Sequence, residues 1–155
     1  MVSRDPLETI RNATLDDIGG ILSLIEPLEN EGVLIKRPRE NLETEIQKFT
    51  IVEHDGLVVG CVALNPFGKE KIGELACLAV HSSFQYAGVG ERLLKAIEKN
   101  CAKQKLTHVF VLTTASSHWF LENGFRQTNL TALPKAKANL YNYQRNSKIY
   151  IKTIK

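Results

Sequence analysis

Residues 72–94, IGELACLAVHSSFQYAGVGERLL, join an apolar run to a helical pattern through a turn that contains glycine. The run at 72–80 has the continuous apolar character of a strand buried on both faces. From Val89 onward, apolar residues recur at helical spacing. The turn with Gly88 and Gly90 places backbone N–H groups, unobstructed by Cβ atoms, at the positive end of the helix dipole. The stretch therefore predicts a strand, an anion-binding loop and a helix.

The loop at 85–90 has the pattern Gln-x-x-Gly-x-Gly. It lacks the Lys-Ser/Thr pair of a nucleoside-triphosphate loop, and it has one glycine fewer than the dinucleotide-binding fingerprint. A pyrophosphate bound without magnesium chemistry is the favoured ligand. Two glycines in isolation are more often simple turn residues, and the pattern alone leaves this alternative open.

The elements around this stretch alternate between helical and strand patterns. Thr14 and Asp17 stand at capping-box spacing before a helical pattern, and Pro27 marks a break or step in it. Asp55-Gly56 joins two β-rich runs and is a strong hairpin signal. The order predicts an α/β or α+β fold, a mixed sheet with helices on its faces. In chain order, the predicted elements are helices at 14–25 and 37–49, a hairpin at 49–67, a strand at 72–80, a helix at 88–105, a strand at 107–114, a short helix at 116–123 and a strand at 148–154.

Length and composition limit the class of protein. A chain of 155 residues with 43% hydrophobic content fits one globular domain. No apolar run reaches the roughly 18 residues of a membrane span, and no signal peptide pattern is present, which predicts the cytoplasm. Cys61, Cys77 and Cys101 are odd in number and widely spaced, so we expect reduced, mostly buried thiols and no disulfide framework. The histidines are scattered, and no metal site is predicted.

The charge of the chain is uneven. After Glu122 there are basic residues and no acidic ones. Such a segment would attract an anionic ligand, although a solvated basic face explains it equally well. The lysines are not grouped with aromatic residues, which argues against a nucleic-acid partner. The basic residues of this segment are Arg126, Lys135, Lys137, Arg145, Lys148, Lys152 and Lys155.

Several of these motifs together carry a resemblance to a known family. QYAGVG at 85–90, after ELACLAV and before the helix HWFLENGF, resembles the acetyl-CoA signature of the GNAT superfamily of N-acetyltransferases. FTIVEHDGLVVGCVAL, FVLTTASSHWFLENGF and LYNYQRNSK resemble the acetyltransferase domain of bacterial N-acetylglutamate synthases, which start arginine biosynthesis. The resemblance implies a GNAT-like mixed central sheet with helices on both faces. It implies an N-terminal extension at 1–9 and a single N-acetyltransferase domain at 10–155.

The resemblance also implies a reaction and its co-substrate. An acetyl group would pass from acetyl-CoA to the α-amine of L-glutamate by direct attack in a ternary complex, without a metal. In the superfamily the loop binds the coenzyme A pyrophosphate mainly through main-chain amides, and the preceding strand pairs its backbone with the pantetheine arm. The implied cofactor-binding residues are Leu78, Val80, Gln85, Ala87, Gly88, Val89 and Gly90.

Alternative functions and partners stay open. One is an acetyltransferase for another amino acid or amine, and another is a non-catalytic acyl-CoA-binding regulatory module. Many bacterial family members carry an amino-acid-kinase-like domain before the acetyltransferase domain. That domain or another fusion partner, and an oligomer, are therefore open, whereas a membrane partner is not expected.

Glu74 is the predicted general base. It is a carboxylate in an otherwise apolar run, and burying a charge there is costly unless the charge is paired or used. A solvated position at the strand end, beside Gly73, explains Glu74 equally well from the residues alone. The resemblance favours the base, acting directly or through a water.

The acid that protonates the leaving thiolate is less direct to assign. Many superfamily members use a tyrosine where this chain has Phe120, which cannot donate a proton. The resemblance then implies the hydroxyl of Thr113, as an acid or as a hydrogen-bond donor. A β-branched residue in a strand explains Thr113 as well. Tyr141 and Tyr143 are alternatives because phenols are more acidic.

Glutamate carries two carboxylates, and bidentate arginine suits them. Arg37, Arg145 and Ser147 match substrate-binding residues of the family, and Lys36 is a weaker candidate. From the residues alone, a Lys or Arg of this kind is more often a surface charge. Their role therefore rests on the resemblance.

Overall fold

The structure, a computed structural model, describes residues 7–141 and 146–154. Within them it contains strands β1 (Glu8–Asn12), β2 (Phe49–His54), β3 (Leu57–Phe67), β4 (Ile72–Val80), β5 (His108–Thr113), β6 (Arg126–Thr128) and β7 (Lys148–Thr153). The helices are α1 (Ile18–Asn30), α2 (Arg39–Glu45), α3 (Val89–Lys103), α4 (Ser117–Glu122) and α5 (Lys135–Ala138). The strands form a seven-stranded sheet in the order β1-β2-β3-β4-β5-β7-β6.

The sheet is mixed, as predicted. β4 and β5 pair in parallel, whereas β1 with β2, β2 with β3, β5 with β7 and β6 with β7 pair antiparallel. The predicted hairpin is confirmed, because Asp55 and Gly56 have φ values of 48° and 83°, as a two-residue turn between twisted strands requires. The helix after the loop and the final strand are confirmed as α3 and β7.

The chain falls into two compact units. The first contains the described residues up to Ala63, together with Cys77–Ile97. Its interior is apolar, and among its buried side chains are Ile18, Ile21, Phe49, Ile51 and Leu93.

A network of hydrogen bonds fixes the start of α1 within this unit. The Thr14 N–H donates to Asp17 Oδ2 at 2.7 Å, and the predicted capping box between Thr14 and Asp17 is present. Arg11 donates from both terminal nitrogens to the Asp17 carboxylate, at 2.8 and 2.9 Å, and also reaches Glu53 at 2.7 Å. The hydrogen bond from Arg11 lowers the pKa of Asp17. The ion pairs therefore join the entry of α1 to β1 and β2.

Pro27 does not end the first helix. It lies inside α1, which continues to Asn30. The missing N–H of proline removes one helical hydrogen bond, but the carbonyls of Pro27 and Leu28 still accept from Glu31 and Val33, at 3.1 and 2.9 Å. The helix thus runs past the predicted break with its last carbonyls satisfied.

The second unit contains Leu64–Ala76 and the described residues from Glu98 onward. Ile72, Phe110, Leu133, Ile149 and Ile151 form a buried cluster on one face of its strands. On the opposite face, Phe120 of α4 stacks on Tyr150 with ring centroids 6.3 Å apart. The alternation of β5 and β7 side chains between these faces follows from the strand period of two.

The predicted state of the cysteines is confirmed, since Cys61, Cys77 and Cys101 are buried thiols outside any disulfide. No helix among the described residues is long and apolar enough to cross a membrane.

Among the strands and α-helices of the described residues, β1, β6 and α5 were not predicted. β1 (ETIRN) and β6 (RQT) lack an alternating apolar pattern, and α5 has only four residues. β1 and β6 form because the backbone of a neighbouring strand offers hydrogen bonds whatever the side chains are. β1 also crosses the boundary at residue 10, and the division into an extension and one acetyltransferase domain stays a prediction.

Candidate active site

The loop between β4 and α3 belongs to the first unit. A 3-10 turn at Ser82–Phe84 follows β4, and α3 begins at Val89. Gly88 has φ 79°, in the left-handed region that favours glycine. The first N–H groups of a helix have no partner inside the helix, so Val89 and Gly90 present donors at this end of α3. The local geometry matches an anion-binding loop.

Other predicted cofactor residues are used inside the loop. The Gln85 amide donates to the carbonyl of Val80 at 3.3 Å and so ties the loop to the end of β4. The Ala87 N–H donates to the Phe84 carbonyl at 3.3 Å. Tyr86, between them, is fully exposed and has φ 68°. Gln85 therefore shapes the loop, and the amide of Ala87 already has a partner.

β4 carries the remaining predicted coenzyme residues and the predicted base. Its parallel ladder with β5 pairs Ile72–Glu74 with His108–Phe110. In the described structure this ladder ends at Glu74, and β4 itself continues to Val80. Leu78 and Val80 are half-buried in this last part of the strand. Glu74 thus stands at the last rung of the ladder.

The Glu74 carboxylate is buried, with its side chain 9% exposed. One oxygen lies 3.0 Å from the ammonium nitrogen of Lys137, and the other accepts from the Asn65 amide at 3.3 Å. The alternative of a solvated strand end is wrong, because water has little access to this group. The surroundings are also more polar than the apolar run suggested.

Tertiary packing brings Lys137 to this position. Lys137 lies on α5, and the first N–H of that helix, from Lys135, donates to the Glu70 carboxylate at 3.1 Å. Leu133, just before α5, packs into the buried cluster with Ile72. The sequence presented Lys137 only as one of many basic residues, and no spacing linked it or Asn65 to Glu74.

Thr113 is buried at the end of β5, with 7% of its surface exposed. Its hydroxyl donates to the carbonyl of Ala115 and accepts from the Ala115 N–H at 3.0 Å. Glu74 is the rung partner of Phe110, and strand alternation puts Thr113 on the opposite face of β5 from Phe110. The acid role of Thr113 stays a prediction, and its hydroxyl has a structural task in this turn.

Tyr141, an alternative candidate for the acid, is placed differently from Thr113. It packs against the buried cluster that contains Ile72 and Phe110, on the face to which Glu74 belongs. Its hydroxyl donates to the carbonyl of Ser147, a buried residue. The other tyrosine alternative, Tyr143, lies outside the described residues.

The predicted substrate residues are only partly described. Arg37, in the first unit, has a guanidinium nitrogen 3.8 Å from a Glu45 oxygen. The main-chain N–H of Arg37 donates to the Glu29 carboxylate at 2.9 Å. Lys36 is exposed. Arg145 lies outside the described residues. The arginine pair predicted for the substrate carboxylates is therefore represented in the structure by Arg37.

The histidines have other neighbours. His54 and His81 pack around Phe84, with ring centroids at 5.1 and 5.8 Å, and His118 lies 3.5 Å from Glu122. Among the described residues no group of three His, Cys, Asp or Glu side chains could hold a metal ion.

Comparisons with known proteins agree on one family. Residues 45–127 match a family model described as Acetyltransferase (GNAT) domain. Two proteins named amino-acid acetyltransferase, from Buchnera aphidicola and Photobacterium profundum, are each 55% identical, over 142 and 144 residues. These alignments cover 92% and 93% of this chain, but 32% and 33% of the relatives. The chain thus spans about a third of the length of the curated relatives that it matches.

A solved structure is similar over nearly the whole chain. It is N-acetylglutamate synthase from Neisseria gonorrhoeae complexed with coenzyme A and N-acetyl-glutamate, with a TM-score of 0.93 and 39% identity. The match covers 99% of this chain and 36% of that protein.

Proposed function

This chain belongs to the GNAT acetyltransferase family, and from that premise we propose that it transfers the acetyl group of acetyl-CoA to the α-amine of L-glutamate. The observation that carries the proposal is the similarity to a synthase whose structure holds coenzyme A and N-acetyl-glutamate. Those two molecules are the two products of this reaction. The reaction would be the first step of arginine biosynthesis.

The loop between β4 and α3 is the proposed site for the coenzyme pyrophosphate. Main-chain N–H groups of Gly88, Val89 and Gly90, at the positive end of α3, would receive the charge. The pantetheine arm would pair with β4 at Leu78 and Val80, where β4 has continued beyond its ladder with β5. Gln85 and Ala87 support this site by holding the loop in shape.

Glu74 is the proposed base. An amino acid arrives with a protonated amine, and the proton must leave before the nitrogen lone pair can attack the thioester carbonyl. A buried carboxylate is suited to accept it. As the new C–N bond forms, the C–S bond breaks and coenzyme A leaves as a thiolate. Lys137 would hold the Glu74 carboxylate in place through their ion pair.

The thiolate then takes a proton, and two hydroxyls are proposed for that step. Thr113 is the one that the resemblance implies, and its proton would first have to leave the Ala115 carbonyl. Tyr141 is favoured by acidity and by its place on the same face as Glu74. Phe120 is excluded because its ring carries no proton donor.

Arg37, Arg145 and Ser147 are proposed to bind the carboxylates of glutamate. Guanidinium groups pair with carboxylates bidentately, and the Ser147 hydroxyl can donate a hydrogen bond to a carboxylate. The proposed setting is the cytoplasm, where the buried thiols of this chain would stay reduced. An amino-acid-kinase-like partner domain is consistent with the greater length of the relatives.

The test is thiol release from acetyl-CoA by the purified chain, with L-glutamate compared against glutamine, aspartate, ornithine and spermidine. Calorimetric titration measures the affinity for acetyl-CoA in parallel. A strong preference for glutamate supports the proposal. Preference for another amine would overturn the glutamate assignment and leave acetyl transfer. Tight acetyl-CoA binding without transfer to any amine would favour a binding module.

A further inference from the structure

Arg92, in the first turn of α3, bridges the proposed coenzyme loop to β1. One terminal nitrogen of its guanidinium donates to the carbonyl of Ala87 at 3.0 Å. The other donates to the carboxylate of Glu8 at 2.7 Å. The Arg92 side chain is 28% exposed and that of Glu8 is 17% exposed, so both side chains are partly buried. Neither the signature pattern nor the catalytic argument uses either residue.

The bond to Ala87 sets the direction of a peptide group. In a trans peptide the C=O and the following N–H point to opposite sides, and the described residues contain no cis peptide bond. When the Ala87 carbonyl points at Arg92, the Gly88 N–H points the other way. The negative end of this peptide is thereby neutralised by the guanidinium, and its positive end is left for an anion.

The side chain and the loop are packed closely. A Cβ atom on Gly88 would lie 2.9 Å from the Arg92 nitrogen, in addition to requiring φ 79°. Arg92 Nε is buried and has no hydrogen-bond partner among the described residues. A buried donor without a partner is costly, so the other contacts of this guanidinium must hold it in place. The left-handed φ of the turn favours glycine at 88, and a larger residue there would also displace the Arg92 guanidinium.

We infer that Arg92 is a positioning residue for the coenzyme pyrophosphate, held by Glu8, which orients the Ala87–Gly88 peptide so that its N–H faces the anion. This inference rests on the proposed function. The ion pair with Glu8 balances the charge of Arg92, which favours orientation of the loop over direct attraction of phosphate. Coenzyme affinity then depends on β1, at a residue within the predicted N-terminal extension.

The experiment compares a ligand with a pyrophosphate and one without it. Calorimetry gives the Kd for acetyl-CoA, and thiol release gives kcat/KM for acetyl-CoA and for acetyl-pantetheine. The variants are Arg92→Lys, Arg92→Met and Glu8→Gln, with Lys95→Gln, an exposed charge on the same helix, as control. Melting temperatures and circular dichroism identify any variant that fails to fold. If the Arg92 variants do not fold, the inference is tested by the acetyl-CoA affinity of Glu8→Gln.

We expect Arg92→Lys and Arg92→Met to weaken acetyl-CoA binding by about tenfold, the scale of one charge-assisted hydrogen bond. Lysine is not expected to rescue, because one ammonium cannot replace the planar fork that spans Ala87 and Glu8. Glu8→Gln should weaken binding in the same direction. kcat/KM for acetyl-pantetheine and the KM for glutamate should stay at wild-type values.

The opposing outcomes are distinct. If the wild-type protein does not bind acetyl-CoA, the proposed function fails and this inference with it. If the wild type binds and the Arg92 variants bind equally well, only the inference fails. Full rescue by lysine would show that charge alone matters, and equal losses with acetyl-pantetheine would show general damage; either result overturns the positioning role.

Discussion

The ammonium nitrogen of Lys137, on α5, lies 3.0 Å from a carboxylate oxygen of Glu74, whose side chain is only 9% exposed. A buried carboxylate that loses its cation keeps its desolvation cost without the compensating attraction. Because Lys137 is 25% exposed, we expect Lys137→Met to lower the free energy of unfolding by about 1–3 kcal/mol, less than for a fully buried pair. Urea denaturation measures this, with Lys135→Met on the same helix as control.

The same pair can be tested by a double-mutant cycle. Once Glu74→Gln has removed the negative charge, Lys137→Met should cost clearly less, since no buried charge is left without a partner. Penalties that simply add would show that the two residues are not coupled.

Glu74→Gln is expected to reduce kcat by about 10²–10⁴-fold, the usual contribution of a general base. The Kd for acetyl-CoA should not change, because the proposed coenzyme contacts come from the loop and the end of β4. Steady-state thiol release and calorimetry separate the two quantities. Glu26→Gln, an exposed carboxylate on α1, is the matched control. Wild-type turnover in Glu74→Gln would remove this residue from the mechanism.

The Asp17 carboxyl should make stability depend on pH. Its pKa in the folded protein is lowered by the hydrogen bond from Arg11. A carboxyl of this kind stabilises the fold above its unfolded pKa and loses that contribution as pH falls through its folded pKa. Asp17→Asn should therefore cost about 1–3 kcal/mol at neutral pH and progressively less below about pH 4.

Denaturation at several pH values checks this, with the exposed neighbour variant Asp16→Asn as control. A penalty for Asp17→Asn that is the same in acid and at neutral pH would contradict the assignment.

Two adjacent glycines of α1 should respond oppositely to alanine. A Cβ on Gly19 meets nothing within 4 Å, so Gly19→Ala should stabilise the protein by about 0.5–1 kcal/mol through helix propensity. A Cβ on Gly20 would lie 2.7 Å from Val58 Cγ2, so Gly20→Ala should destabilise by about 1–3 kcal/mol through overpacking. Each variant serves as the control for the other in thermal unfolding. Changes of the same sign would contradict the packing of α1 on β3.

The parts of the fold that the sequence predicts are those with strong local signals. Asp55 and Gly56 are residue types that readily adopt the positive φ angles of a two-residue hairpin turn. Residues 72–80 are apolar enough to predict a buried strand without knowledge of their neighbours. β1 and β6 depend on the backbone of a neighbour, and polar or exposed side chains leave no local trace of that. The predicted break at Pro27 was wrong because a single missing hydrogen bond does not end a helix whose other carbonyls are satisfied.

The site divides in the same way. Glu74 can be identified from the sequence because burying a carboxylate in an apolar run is costly unless the charge is paired or used. Lys137 and Asn65 become visible only when α5 and β3 are folded against β4, since no spacing connects them. The strand register decides which face of β5 carries Thr113. The geometry of the following loop decides that the Thr113 hydroxyl forms hydrogen bonds with the main chain of Ala115.

Because its cysteines are buried, the folded protein should react only slowly with thiol reagents. Burial raises the pKa of the Cys101 thiol to about 11 and moves that of Cys61 well above its ordinary range, and the thiolate is the form that reacts. A colorimetric disulfide reagent can therefore count released coenzyme A in real time without protein thiols being blocked or replaced. The same reagent, added without substrate, would report opening of the core by the colour that three newly accessible sulfurs produce.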